Sequence, residues 1–553
     1  MVECFRALLD NCKSRSHLKQ IHALLTTSGL SKIDHFSWKI LSFAATSASS
    51  DISYAHRFFL HLSNPTLFHY NAVIRGFANS NNPAKCFLIF AKMLLNAVVP
   101  DYLTYPFLAK AAARLSDRKA AGCIHARVLR SGLASDLFIC NSFIHMYGSA
   151  GEVASARKVF DEMPMRNFVS WNSMLDGYAK SGDVSSMRQV FDEMPERDVV
   201  SWSALIDGYV KDGDHKEALV VFEAMRADGP KANDVTMVSV LCACSHLGAL
   251  EQGRAMHQYI AEERLPLTLA LRTSLVDMYV KCGAINEALV LFHEVSARKT
   301  DVLLWNAVIG GLATHGLTSE ALGIYAAMQN LGIRPDEITY LCLMSACAHG
   351  GLVDEAWGYF KSITRDGMVP KSEHYACMVD VLARAGRLDE ACQLVCEMPM
   401  EPTPSTLGAL LNGCINHREF DLAEIVGKRL VELDPAHDGR YVGLSNVYAV
   451  VRRWDKARST REAMESRGVR KSPGYSCVEV CGVLHRFTAR DKAHPEIEEI
   501  YLMLVVIGEE IKLKSDDSER QDFVRVCAFP NTRSKMVNTY TAAMINLQGT
   551  RTT

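Results

Sequence analysis

A chain of 553 residues is too long for one compact core, so it must be several domains or one repetitive array. Its 48% hydrophobic and 22% charged residues are those of a globular chain, and no apolar run approaches the roughly 20 residues a membrane-spanning helix needs. A formal net charge of −2 argues against a polycation that coats nucleic acid through many phosphate contacts, but leaves room for a local basic groove. The 17 cysteines are scattered, mostly in apolar helical stretches as at Cys242, Cys282 and Cys347, without the dense spacing of a small secreted scaffold. A reducing compartment with the thiols as small core residues is the simpler reading.

Taken in chain order, the first 30 residues carry Arg6, Lys13, Arg15 and Lys19 among several serines, interrupted by Glu3 and Asp10 and lacking a secretory-type apolar core. An import leader is only faintly marked there. From residue 151 a glycine series makes a period plain. Glycines precede an amphipathic segment at Gly151, Gly182, Gly213, Gly248, Gly283, Gly316, Gly351 and Gly386, spaced 31, 31, 35, 35, 33, 35 and 35. Five residues after each stands Ala156, Met187, Ala218, Gly253, Ala288, Ala321, Ala356 or Ala391, mostly small residues that let two helices approach. An aromatic precedes most of the glycines, at Tyr105, Trp171, Trp202, Trp305, Tyr340 and Tyr375.

One unit shows the local structure. In VVSWSALIDGYVKDG, Trp202, Leu205, Ile206 and Tyr209 follow i, i+3, i+4, i+7 spacing, one helical stripe. Gly213 ends that helix. Ala218, Val221, Phe222 and Met225 repeat the spacing, and DGPKAN closes the unit with turn formers. Neither helix can bury its stripe alone, so the hairpins must stack. The expected fold is all-α, a right-handed α-solenoid of helical-hairpin repeats with a concave face, and the aromatics and leucines are expected in its core.

These residues resemble the pentatricopeptide repeat family, in the plant-type subgroup that alternates 35-residue, longer-variant and 31-residue motifs. Boundaries fall at 1–34, 35–66, 67–101, 102–136, 137–167, 168–198, 199–233, 234–268, 269–301, 302–336, 337–371 and 372–403. Short motifs carry VSWNSMLDGYAKSGD and FDEMPERD, long variants carry VTMVSVLCACSHLGALEQGRAMH, and SEHYACMVDVLARAGRLDEA resembles the last short motif. The tetratricopeptide family shares paired helices but lacks the 31/35 alternation and the tryptophan–asparagine pair. Residues 404–471 resemble two extension motifs found in editing factors, 472–513 resembles the short segment beyond them, and 514–553, with its DDSER stretch, is expected to be a frayed tail.

The resemblance implies RNA binding, in which the fifth and last residues of a motif face one base and an apolar second residue packs against it. Carried over, the pairs are Asn71 with Asp101, Pro106 with Asp136, Asn141 with Asn167, Asn172 with Asp198, Ser203 with Asn233, Thr273 with Asp301, and Asn306 with Asp336. A carboxylate only accepts hydrogen bonds, so it meets the donors of guanine or the N3–H of uracil, whereas an amide offers donor and acceptor to adenine or cytosine. The family rule implies, 5′ to 3′, U, a weaker U, a pyrimidine, U, A, any base, G, U, then two unread bases. Val238 with Thr268, Leu341 with Lys371, and Ala376 with Thr403 contribute no reading pair.

The deaminase domain of the family would require His-x-Glu followed by Cys-x-x-Cys. His494-Pro495-Glu496 fits the first half, but only Cys527 follows it, and Cys477-Val-Glu-Val-Cys481 has the wrong spacing in a strand-like alternation. No phosphate loop or nucleophile elbow is present. The expectation is therefore a non-enzymatic protein without cofactor or metal, binding single-stranded organellar RNA, with a DYW-type deaminase supplied in trans alongside organellar editing accessory proteins, and not engaging a membrane. Mitochondria are the favoured compartment and chloroplasts the alternative. Splicing or transcript stability would use the same groove, and a protein-interaction scaffold is the remaining rival.

Overall fold

The computed structural model describes residues 2–515, apart from residues 13, 31–33, 48–50, 229, 295–300, 472, 481 and 489–493. The chain divides into two compact units, Met1–Ser239 and Val240–Thr553. Among the described residues each is built mainly of stacked helical hairpins, as the periodicity requires.

In the first unit the leading helices Leu67–Asn79, Thr104–Leu115, Leu137–Ser149, Phe168–Ser181 and Val199–Asp212 pack one on the next, and each carries its own second helix. Helix Val199–Asp212 shows why. Asp198 caps its first turn, Gly213 at φ 91° ends it, and Trp202, Leu205, Ile206 and Tyr209 are all buried. Its partner helix His215–Asp228 buries Ala218, Val221, Phe222 and Met225, the predicted stripe. In the second unit Leu269–Lys281, Val302–Thr314, Glu337–Gly350, Ser372–Arg384 and Pro404–Asn416 stack in the same way.

All eight periodic glycines adopt positive φ, between 65° at Gly248 and 91° at Gly213, the conformation that stops a helix most cheaply without a Cβ. The small residues five positions later are buried where second helices pack. Met187 is the large exception, and its room comes from Gly208, where a Cβ would stand 2.3 Å from the Met187 sulfur. Trp202 and Trp305 are buried and Trp171 is half-buried; Trp171 meets Phe160, Trp202 meets Phe191 and Trp305 meets Phe292 edge to face at 4.7–4.8 Å between centroids. Arg166 and Arg197 lie over the same Phe160 and Phe191 rings, which ties the FDEMP strings to the tryptophan of the next hairpin.

Close backbone approach continues past residue 403. A Cβ on Gly413 would lie 2.4 Å from the Ala383 Cβ and 3.0 Å from the Ala383 backbone. Gly413→Ala therefore forces Ser372–Arg384 and Pro404–Asn416 apart, at an expected cost of about 1–3 kcal/mol, to be read as a lower midpoint in thermal or urea unfolding.

Helices Phe420–Leu433, Asp438–Val450 and Trp454–Ser466 follow. Glu424 holds them together: Lys428 (2.8 Å), Arg453 (2.6 Å) and Lys456 (3.0 Å) converge on its carboxylate. Hydrogen bonds from Lys428 and Lys456 depress that carboxyl to about 2. Strands β1 (Tyr475–Val480) and β2 (Val483–Thr488) then form an antiparallel hairpin, the strand-like segment seen in the sequence; Cys481 lies outside the described residues. Val478, Val480 and Phe487 of the hairpin pack on Ile500 of the last helix, Ile497–Ser515. The hairpin is clasped to a distant repeat of the same unit. Glu479 accepts the N–H groups of Glu251 (2.7 Å) and Gln252 (2.9 Å) at the start of helix Leu250–Glu262, while the Gly482 N–H donates to Glu251.

Candidate nucleic-acid interface

In the motifs with a polar pair, the last residue stands at or just before the start of the next helix. Its side-chain oxygen accepts the otherwise orphaned N–H groups there: Asp136 from Phe138 and Ile139, Asn167 from Ser170, Asp198 from Ser201, Asn233 from Thr236, Asp301 from Leu304, and Asp336 from Thr339, all within 2.8–3.1 Å. Asp101 does the same for Leu103 and Thr104.

The fifth residue lies beside this cap. Asn71 Nδ2 donates to Asp101 (3.0 Å), Asn141 to Asn167 (3.2 Å), Asn172 to Asp198 (3.3 Å) and Asn306 to Asp336 (2.9 Å). Ser203 and Asn233 meet through Thr236, whose hydroxyl is 2.5 Å from Ser203 Oγ and 2.9 Å from Asn233 Oδ1. The structure thus brings together five of the seven pairs. Two are not joined by side-chain hydrogen bonds. Buried Pro106 has no donor to offer Asp136, and Thr273 donates to the Leu269 carbonyl of its own helix rather than to Asp301.

Capping decides which atom remains for a ligand. At Asp336 a single oxygen, Oδ1, receives the Thr339 N–H, the Thr339 hydroxyl and the Asn306 amide, leaving Oδ2 as an acceptor. Asp101 and Asp198 are arranged alike. At Asn167 and Asn233 the same bonds hold Oδ1 inward, so the outward atom is Nδ2, a donor. Burial pushes the carboxyl groups of Asp198 and Asp336 up. Hydrogen bonds from Ser201 and Asn172, or from Thr339 and Asn306, outweigh it and leave both below the ordinary aspartate value. Both are therefore acceptors at neutral pH.

Capping alone accounts for aspartate and asparagine at the last position, since any stacked helix profits from such a residue there. The last-position register by itself consequently does not separate an RNA reader from a scaffold. Asparagine at the fifth position is a poor helix former with no capping role, and its recurrence needs another cause.

Two further sets of residues surround these pairs: the apolar second position that the resemblance implies, and a third-position hydroxyl that it does not. At the second position Phe68, Leu103, Phe138, Val169, Val200, Val235, Leu303 and Ile338 stand out of the core, from 37% exposed at Leu103 to 62% at Phe68. They lie one turn before the fifth residue and on its side of the helix. Their signal was an apolar residue at a helix start, off the buried stripe. The third-position hydroxyls of Thr104, Ser170, Ser201, Thr236 and Thr339 are fully buried against the pairs.

Elsewhere, His494 has both ring nitrogens engaged, one with His485 (2.9 Å) and the other with the Glu496 N–H (3.1 Å). No cluster of three or more His, Cys, Asp or Glu side chains suited to a metal occurs among the described residues, and Cys527 lies outside them. Burial pushes the thiols of Cys86, Cys244 and Cys377 up to about 12, as expected of inert core cysteines. Among the described residues no helix is long and apolar enough to cross a membrane.

Comparison with known proteins agrees with this architecture. PPR repeat models match residues 68–97, 138–168, 169–199, 272–299, 338–368 and 373–401, a PPR repeat family model matches 197–246 and 300–349, and the E motif matches 417–479. A pentatricopeptide repeat-containing protein of Arabidopsis thaliana is 60% identical over 516 residues, covering 93% of this chain and 97% of that one. A second from the same plant, named mitochondrial, is 35% identical (92% and 89% covered), and a third, named chloroplastic, is 38% identical (92% of each). The chain belongs to the pentatricopeptide repeat family and carries an E-motif extension.

Proposed function

We propose that this protein binds single-stranded RNA in a sequence-specific manner and serves as a site-recognition factor for organellar cytidine-to-uridine editing. The observation that carries the reading is the coincidence, motif after motif, of an exposed apolar second residue with a hydrogen-bonded fifth and last pair. An exposed apolar side chain offers a surface for a base face, and the polar pair beside it offers edge contacts. The atom left outward then sets the chemistry. Aspartate presents an acceptor, which suits the N3–H of uracil or the N1–H of guanine; asparagine presents a donor, which suits the ring acceptors of cytosine or adenine.

On this reading residues 1–403 are the reader, of the subgroup that alternates 31- and 35-residue motifs, with the 5′ end of the RNA at the N-terminal repeats. Residues 404–471 and 472–513 recruit a separate DYW-type zinc deaminase together with organellar accessory proteins. The E motif supports this assignment, and the mitochondrial and chloroplastic names of two relatives support an organellar location, with mitochondria favoured. The test is a comparison of organellar cytidine editing in plants with and without the protein. Loss at one or a few sites whose upstream sequence fits U-U-pyrimidine-U-A-any-G-U is expected. Unaltered editing with altered splicing or transcript levels would replace the editing role with RNA processing.

A further inference from the structure

We propose that the buried hydroxyl at the third position of the following motif is a specificity-positioning residue that fixes the orientation of the reading pair. This rests on the RNA-reading interpretation above. An asparagine amide is nearly symmetric in shape but opposite in chemistry at its two ends, so a reading asparagine must be held against a flip. Three motifs show how. The Thr104 hydroxyl is 2.8 Å from both Asn71 Oδ1 and Asp101 Oδ1. Ser170 Oγ is 2.7 Å from Asn141 Oδ1 and 3.1 Å from Asn167 Oδ1. Thr339 Oγ1 is 2.7 Å from Asn306 Oδ1 and 2.9 Å from Asp336 Oδ1.

Each hydroxyl faces two acceptors, so its proton is attracted to the asparagine oxygen and the capping oxygen together. The amide Nδ2 is then directed at the cap, and its second N–H is left for a base. A flipped amide would set its oxygen against the capping oxygen. The hydroxyls are completely buried, so no water competes for the arrangement.

The chain contains its own contrast. Ser201 bonds Asp198 (2.7 Å) but does not reach Asn172, whose Oδ1 is buried without a hydrogen-bond partner. After motifs 102–136 and 269–301 the third position is Ile139 or Leu304, which has no hydroxyl, and neither fifth residue is tied to its cap. Uracil should accordingly be read less strictly by motif 168–198 than by motifs 67–101 and 302–336.

The experiment uses the full chain and synthetic RNAs carrying UUCUAAGU, with the last base varied through U, C, A and G. Thr339→Val keeps the shape and removes the hydroxyl. It is expected to lower the uracil-over-cytosine binding ratio at that base by about threefold to tenfold, as loss of one ordering hydrogen bond implies, and Thr339→Ser to restore it. Thermal unfolding of each variant separates a lost cap from a lost preference, because weaker helix capping would weaken all four RNAs alike. Asp336→Asn is the control for the reading itself and should invert the preference toward cytosine. If Asp336→Asn leaves the preference at uracil, the reading of this motif is wrong. If Asp336→Asn inverts it while Thr339→Val leaves the wild-type ratio, or weakens all four RNAs equally, the hydroxyl proposal is overturned and the reading stands.

Discussion

Ser203→Thr combined with Asn233→Asp should turn the preference of motif 199–233 from adenine to guanine. Asn233 Oδ1 is occupied by the Thr236 N–H and hydroxyl, both at 2.9 Å, so its outward atom is the amide nitrogen, which suits adenine N1. Aspartate caps a helix as well as asparagine does, so the fold should tolerate the exchange while the outward atom changes from donor to acceptor. That acceptor suits guanine N1–H. Threonine at 203 keeps the hydroxyl that meets Thr236. One exchanged edge contact is worth about 1–3 kcal/mol, so competition binding with RNAs differing only at that base should show an inversion of preference. Tight binding with adenine still preferred would remove the pair from the reading mechanism.

Deleting residues 404–553 should abolish editing in complemented plants while leaving the RNA affinity of the purified protein within about threefold, a change of under 1 kcal/mol. The cut is not structurally silent. It exposes the face of helix Ser372–Arg384 that Pro404–Asn416 covers, and it removes the Glu479 carboxylate from the start of helix Leu250–Glu262. Both losses fall on motifs without a polar reading pair, 372–403 with Ala376 and Thr403 and 234–268 with Val238 and Thr268. Stability should therefore drop more than reading does. Loss of sequence-specific binding on deletion would make the extension motifs part of the reader.

The repeat was legible because two strong local signals coincide: a helical stripe such as Trp202, Leu205, Ile206 and Tyr209, and a glycine where the first helix of the hairpin ends in a left-handed turn. Pairing of fifth and last residues could be carried over by resemblance, and the side chains meet directly in four motifs and through Thr236 in a fifth. What periodicity could not supply was the reason for the last residue. Asp198 and Asp336 are caps as well as candidate base contacts, and only the backbone N–H groups around them reveal it. The third-position hydroxyls were hidden for another reason. Thr104, Ser170 and Thr339 look like ordinary small polar residues in sequence, and their role depends on a neighbour some 30 positions earlier, as Thr339 depends on Asn306. The clasp between Glu479 and the start of helix Leu250–Glu262 joins residues more than 220 apart and has no local signature.

Sequence-specific recognition of single-stranded RNA through these pairs is open to one decisive measurement: incubating the purified full chain with a random single-stranded RNA pool and sequencing the bound fraction. Enrichment of U-U-pyrimidine-U-A-any-G-U is expected, with the second position the weaker uracil and no preference at the sixth, where Val238 and Thr268 present neither amide nor carboxylate. A bound pool that matches the input in sequence, or a consensus unrelated to the order of these pairs, would contradict it.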